Sequence, residues 1–334
     1  MAWKVLLTAR TLDAVGHDAV ALLRAAGCEL TFPPKPGPHP AETLLPLLAG
    51  HDACLATTDA FTDAVLGSPQ TATLKCISRW GVGYDAVDVP AATRHGIVVA
   101  YTPGVLDEAV ADFAFALLLA IARRIHIGHE NMAKGVWGGA WGHDVHGKTL
   151  GILGCGRIGQ AVARRAAGFG MRLLGHDPAP QPAAEKLGVE FVPLDELLAQ
   201  CDFLTLHAAL TPQTRGLIGA AQLARMKPTA YLVNTARGAL VDEAALAQAL
   251  RDGVIAGAAL DAFVKEPLSA EHPLRGCPNV LLTPHLASFA RETGERVSHL
   301  AAQAILDLMH GKKPAHVVNP GVFQSPALRA TLKG

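Results

Sequence analysis

Six residues near the middle of the chain constrain its fold more than any others. Gly154-Cys155-Gly156-Arg157-Ile158-Gly159 has the spacing GxGxxG. An apolar run, Thr149–Leu153, precedes it, and a helical pattern over 157–167 follows. A second apolar run over 171–175 ends in His176-Asp177, and Asp177 follows Gly159 by 18 residues. Strand, glycine turn, helix, strand and acid in that order predict a dinucleotide-binding β-α-β unit. Gly154 permits the tight turn, Gly156 lets backbone approach a pyrophosphate, and Gly159 lets helix and strand pack closely. The helix start at Arg157 and Ile158 supplies free N–H groups and the positive end of a dipole. Asp177 can accept from both adenosine ribose hydroxyls. Its charge repels a 2′-phosphate and Pro178 offers no cation in exchange, so NAD is preferred over NADP.

The rest of the chain repeats this rhythm. At 334 residues it has length for about two domains. Strands are expected at 4–7, 53–56, 74–78 and 97–100, with a helix over 12–26. A second series has strands at 149–153, 172–176, 203–206, 231–234, 257–260 and 280–282. Such alternation predicts parallel sheets covered by helices. Thr102-Pro103-Gly104 interrupts the pattern before one long helical stretch over 106–133, and a final helix is expected over 291–309. The predicted class is α/β, with two doubly wound parallel-sheet domains.

Composition excludes several functions. Lys and Arg total 29 and Asp and Glu total 29, so no global charge attracts nucleic acid or an anionic membrane. The longest apolar run, 113–122, is too short to span a bilayer. The N-terminus has no signal-peptide core, and a cytoplasmic location is expected. Six scattered cysteines form no CxxC pair, and no His/Cys cluster suggests a metal.

Four stretches, in this order, resemble the NAD-dependent D-2-hydroxyacid dehydrogenases. They are Arg79-Trp80-Gly81-Val82-Gly83-Tyr84-Asp85, the GxGxxG unit, Asn234-Thr235-Ala236-Arg237-Gly238, and Leu260-Asp261-Ala262-Phe263-Val264-Lys265-Glu266-Pro267 followed by Thr283-Pro284-His285-Leu286-Ala287. The resemblance implies a split substrate-binding domain, 1–102 with 288–334, and an inserted NAD-binding Rossmann domain, 103–287. It places the active site in a cleft between them and implies a homodimer. The apolar helix 113–122 and Trp137 and Trp141 fit such an interface, and equally an ordinary core.

The same resemblance implies the catalytic set Arg237, Glu266 and His285. Reducing a 2-oxo acid leaves negative charge on the carbonyl oxygen, which an imidazolium can neutralise by giving up a proton. Glu266 would hold the other ring nitrogen. The Arg237 fork would hold the carboxylate or carbonyl of the substrate, and the amides of Val82 and Gly83 would hold the carboxylate too. Trp80 stands as a wall of the carboxylate pocket or as packing. His207 either lines the cofactor or belongs to the core. Thr211, Thr235 and Ala236 fall at strand ends near the dinucleotide, and Asp261 would accept from the nicotinamide carboxamide. Val110 meets the nicotinamide ring or the helix core.

Three features depart from the family pattern. Ala209 replaces the proline usual after His207, Val264-Lys265 replaces an acidic stretch, and Trp80 is larger than usual. Expected substrates are glyoxylate, hydroxypyruvate, 3-phosphoglycerate or a sugar-derived 2-oxo acid. Asp107 and Glu108, read as lying at the cleft mouth, disfavour a phosphorylated one. With few residues after the last helix, the regulatory extension of longer phosphoglycerate dehydrogenases is not expected. Phosphite oxidation on the same scaffold and an NAD-sensing corepressor remain alternatives. Formate dehydrogenase pairs its histidine with glutamine, and Glu266 argues against it.

Overall fold

The computed structural model describes residues 2–333. The chain forms two compact units. One runs to Leu106 and resumes at Phe289; the other is Asp107–Ser288.

The first unit has five strands: β1 Lys4–Leu7, β2 Glu29–Thr31, β3 Ala53–Ala56, β4 Cys76–Arg79 and β5 Val98–Ala100. All pair in parallel, in the order β2-β1-β3-β4-β5. Strands β3, β4 and β5 are buried throughout, as a sheet covered on both faces requires. Leu44, Leu48, Phe61 and Leu66 form part of the core with Leu6, Cys54 and Ile77. The helix Arg291–Met309 packs against β3 and β4, and the Ser78 hydroxyl donates to the Ala301 carbonyl at 2.8 Å. The helix expected over 12–26 is two helices, Leu12–Val15 and His17–Ala25, joined at Gly16.

The second unit contains β6 Thr149–Leu153, β7 Arg172–His176, β8 Val189–Phe191, β9 Phe203–Leu206, β10 Tyr231–Asn234, β11 Gly257–Leu260 and β12 Val280–Leu282. The parallel order is β12-β11-β10-β9-β6-β7-β8. Side chains alternate between faces, as the two-residue period of a strand demands. In β10, Tyr231 and Val233 join Phe115, Leu118 and Val162, whereas Leu232 joins Leu204, Leu246 and Leu250. The long stretch 106–133 is not one helix. Asp107–Ala122 and Ile125–Ala133 are separated at Arg124, whose φ of 53° is left-handed. Among the described residues no helix is long and apolar enough to cross a membrane.

Strand order reverses between β6 and β9. Ligands bind such sheets at the carboxyl ends of the strands beside that switch point. The glycine turn follows β6, and His207 follows β9.

Candidate active site

The turn after β6 is built from both sides. Gly154 has φ of 92°, and a Cβ there would stand 2.4 Å from the Ala208 nitrogen. A Cβ on Gly159 would stand 2.2 Å from the Gly154 carbonyl oxygen, whereas one on Gly156 would meet nothing within 4 Å. Two glycines therefore close the turn and the third leaves it open on the outside. Asp177 braces it: one oxygen accepts from the Cys155 N–H at 2.8 Å and the other from Ala179 N–H at 2.9 Å. Arg157, first residue of the helix Arg157–Ala167, donates through Nε to Asp107 at 2.6 Å.

Asp107 and Glu108 do not present free acidic charge. Asp107 is buried against Arg157, and Glu108 pairs with Arg164 and, at 2.7 Å, with Arg165. Their charges are spent on cations of the neighbouring helix, so the pair gives no reason to disfavour a phosphorylated substrate, contrary to the expectation from sequence.

After β9, His207 Nε2 lies 2.8 Å from the Thr205 hydroxyl. Burial pushes its pKa down to about 3, so the ring is neutral at ordinary pH. Thr211 pairs with Thr214 on an exposed loop, the two hydroxyls 3.2 Å apart. Val110 is buried in its helix.

Three further turns carry the remaining polar groups. Asn234, fully buried at the end of β10, donates to the Arg237 carbonyl at 2.9 Å and accepts from Ala236 N–H at 3.0 Å. It thus folds Thr235–Arg237 into a fixed turn. The Thr235 hydroxyl is buried there with no partner among the described residues. Glu266 accepts from Phe263 N–H at 3.0 Å and faces His285 Nδ1 at 2.8 and 3.0 Å. Burial alone would raise the Glu266 carboxyl. The hydrogen bond and charge of His285, the Phe263 N–H and the Arg237 charge outweigh it and hold the group below the ordinary range.

His285 itself adopts φ of 57°. A left-handed backbone costs a side-chain-bearing residue about 1–2 kcal/mol, so something must hold it there. Asp261 does so. It is completely buried, with both oxygens engaged. Oδ1 accepts from the Thr283 hydroxyl at 2.6 Å and Leu286 N–H at 2.8 Å, and Oδ2 from Ala287 N–H at 2.8 Å.

In the first unit, Arg79 is the organising residue that the sequence did not single out. Its guanidinium grips the Gly83 carbonyl through Nε at 2.9 Å and Nη2 at 2.8 Å, and reaches the Ala56 carbonyl at 2.8 Å. Neither the Val82 nor the Gly83 N–H donates to an acceptor among the described residues. Trp80 is packed within the first unit. It is buried, its indole N–H donates to Ser298 Oγ at 2.8 Å, and its ring meets Phe289 edge-on.

A glycine turn at a sheet switch point and an imidazole backed by a carboxylate define the site of a dinucleotide-dependent dehydrogenase. Comparison with known proteins gives the family. Residues 115–287 match the profile of the D-isomer specific 2-hydroxyacid dehydrogenase, NAD binding domain. The glyoxylate reductase of Korarchaeum cryptofilum is 49% identical over 258 residues, 75% of this chain and 78% of that one. The TT0316 protein of Thermus thermophilus superposes with a TM-score of 0.85 at 41% identity, covering 94% of this chain and 99% of that one. An NADPH-dependent glyoxylate/hydroxypyruvate reductase from Sinorhizobium meliloti, solved with NADP and malonate, gives 0.84 at 28% identity over the whole of both chains. The chain belongs to the D-isomer specific 2-hydroxyacid dehydrogenases.

Proposed function

We propose that this dehydrogenase reduces small 2-oxo acids, glyoxylate and hydroxypyruvate foremost, to the corresponding 2-hydroxy acids. The observation that carries the reading is the Glu266–His285 pair. Nδ1 is committed to Glu266, so Nε2 is the ring nitrogen left to exchange a proton with substrate. The nicotinamide, when bound, supplies the reducing equivalent to C2. His285 gives its Nε2 proton to the carbonyl oxygen as charge develops there, and Glu266 stabilises the ring while it is charged. In the oxidative direction the neutral ring takes the hydroxyl proton. Arg237 offers a permanently charged fork for the carboxylate or carbonyl. The amides of Val82 and Gly83 offer two N–H donors of the kind that hold a carboxylate.

The residues fit a dinucleotide. The open outer side of Gly156, the helix start at Arg157 and Ile158, and the orphaned Thr235 hydroxyl are groups that such a ligand satisfies. Gly154, Gly159 and Asp177 shape the turn, and His207, Thr211, Ala236 and Val110 stand at or beside the same strand ends. The charge of Asp177 favours NAD over NADP, although the Sinorhizobium relative is NADPH-dependent. Trp137 and Trp141 are 92% and 97% exposed, beside exposed Met132 and Val136. Apolar surface of this kind fits self-association, and we read the enzyme as a homodimer. The six cysteines are free thiols, which suits the cytoplasm.

The test is consumption of NADH and of NADPH with glyoxylate, hydroxypyruvate, pyruvate and 3-phosphohydroxypyruvate, for wild type and His285→Ala. Turnover of the first two that collapses in the variant supports the reading. Absence of turnover with every 2-oxo acid overturns it.

A further inference from the structure

The Glu266 loop is held from behind by a second histidine–glutamate pair. Glu243 is the first residue of the helix Glu243–Arg251. An acid there ordinarily points into solvent, where it interacts with the helix dipole. This one turns back, with a side chain only 13% exposed. Its Oε1 accepts from Val264 N–H at 2.8 Å and its Oε2 meets His272 Nε2 at 3.2 Å. His272 Nδ1 accepts from Leu274 N–H, which places the ring proton on Nε2 and aims it at Glu243. Asp242 caps the helix through Ala244 and Ala245, so Glu243 is not needed as a cap.

Val264 is one residue beyond Phe263, whose N–H holds Glu266 Oε1. The intervening peptide is also the surface on which the Arg237 turn rests. A Cβ on Gly238 would stand 2.0 Å from the Phe263 carbonyl carbon and 2.3 Å from the Val264 nitrogen. A shift of that peptide would move the carboxylate away from His285 and unseat the turn beside Arg237.

We propose that Glu243, oriented by His272, is a positioning residue for Glu266 and, through it, for the proton transfer at His285. The proposal rests on the reading that this pair performs that transfer. It differs from a plain structural role in requiring the Val264 N–H to have an acceptor, whatever the charge of that acceptor.

The experiment compares Glu243→Ala, Glu243→Gln, His272→Ala and the double variant Glu243→Gln/His272→Ala with wild type in the full chain. It reads kcat and KM for glyoxylate and NADH, the thermal midpoint, and the downfield NMR signal of the His285 Nδ1 proton. Glu243→Ala is expected to lose kcat by about ten- to a hundredfold while KM for NADH moves by no more than about twofold. The Nδ1 signal should broaden or vanish. Glu243→Gln keeps an oxygen for Val264 but turns an NH2 towards the His272 Nε2–H, so it should recover only part of kcat. Glu243→Gln/His272→Ala, which removes that clash, should come to within about threefold of wild type, signal included. His272→Ala leaves Glu243 in place and should fall between Glu243→Ala and wild type; it also serves if Glu243→Ala fails to fold. Equal losses in Glu243→Ala and in Glu243→Gln/His272→Ala would overturn the proposal. So would a Glu243→Ala enzyme with wild-type kcat and an intact Nδ1 signal. A wild-type enzyme inactive on every 2-oxo acid would count against the proposed function instead, and the Nδ1 signal across the variants would still decide the tether.

Discussion

Removing the Asp261 carboxylate should cost stability and activity in separable amounts. Asp261→Ala leaves two N–H groups, of Leu286 and Ala287, and the Thr283 hydroxyl without their acceptor. An orphaned buried N–H costs about 1–3 kcal/mol, and a hydroxyl that can turn elsewhere costs less. Together they come to about 4 kcal/mol, a large share of the roughly 5–15 kcal/mol that holds a domain folded. For a unit of this size the thermal midpoint should fall by about 8–16 °C. The activity loss follows from the backbone of His285. Its left-handed conformation is disfavoured by about 1–2 kcal/mol once nothing offsets it. The fraction of molecules with the imidazole in place then drops to between about 0.03 and 0.2, a loss in kcat of roughly five- to thirtyfold. Asp261→Asn keeps an acceptor for Thr283 and Leu286 but turns an NH2 towards Ala287. It should lose about 1–3 kcal/mol and a smaller share of kcat. Differential scanning calorimetry reads the first quantity and steady-state reduction of glyoxylate the second. An Asp261→Ala enzyme that melts earlier yet keeps wild-type kcat would refute the tether. An unchanged midpoint would refute the stability argument.

Other consequences can be checked with simple assays. Burial raises the Asp202 carboxyl, but the Lys227 ammonium and the Thr149 N–H outweigh it and hold it below its ordinary value of 3.8. The unfolded chain then binds more protons, so this stability is present above pH 3.8 and lost as pH falls through the folded value. Acid titration of Asp202→Asn should show a shallower loss, and about 1 kcal/mol less stability at neutral pH. All six cysteines are buried, and desolvation pushes Cys76, Cys155 and Cys201 up to about 12. A thiol reagent should therefore find almost no reactive group in the native enzyme and all six after denaturation; fast labelling of the native protein would contradict this. Asp177→Asn should raise KM for NADH by about tenfold and narrow the preference over NADPH, since a charged acceptor is replaced by a neutral one. Unaltered kinetics with both cofactors would remove Asp177 from the ribose site.

The parts of the molecule legible in the sequence are those with a local signal. The strand, glycine turn and helix over 149–167 announce themselves because each step requires particular residue types in a row. The edge strands β2 and β8 do not. Each is a three-residue edge strand, as β5 and β12 also are, but Glu29 and Glu190 face solvent within them and break the apolar run, whereas Val98–Ala100 and Val280–Leu282 are apolar throughout. The division at Arg124 was hidden because the apolar pattern continues almost to it and only a backbone angle marks the break. The tethers were hidden for a different reason. Asp261 holds Leu286 and Ala287, Glu243 holds Val264, and Arg79 holds Gly83, each through a main-chain group. A peptide N–H or carbonyl is the same under every side chain, so nothing at the receiving position points to its partner. The partner of Trp80, Ser298, lies 218 positions away, which left pocket and packing indistinguishable.

The left-handed backbone at His285 sets side-chain chemistry against main-chain preference. Glycine and asparagine are the residues most at ease in that conformation. Chain geometry alone would therefore fill the position with one of them, and only the proton-transfer role argues for an imidazole. A library at this codon, sorted once for folding and once for turnover, should return two different winners. The fold would gain from losing the residue the reaction cannot do without, and drift that relaxed selection on catalysis should erase this histidine early. Among relatives that keep the fold, glycine or asparagine at this position would then mark the members that have given up the chemistry.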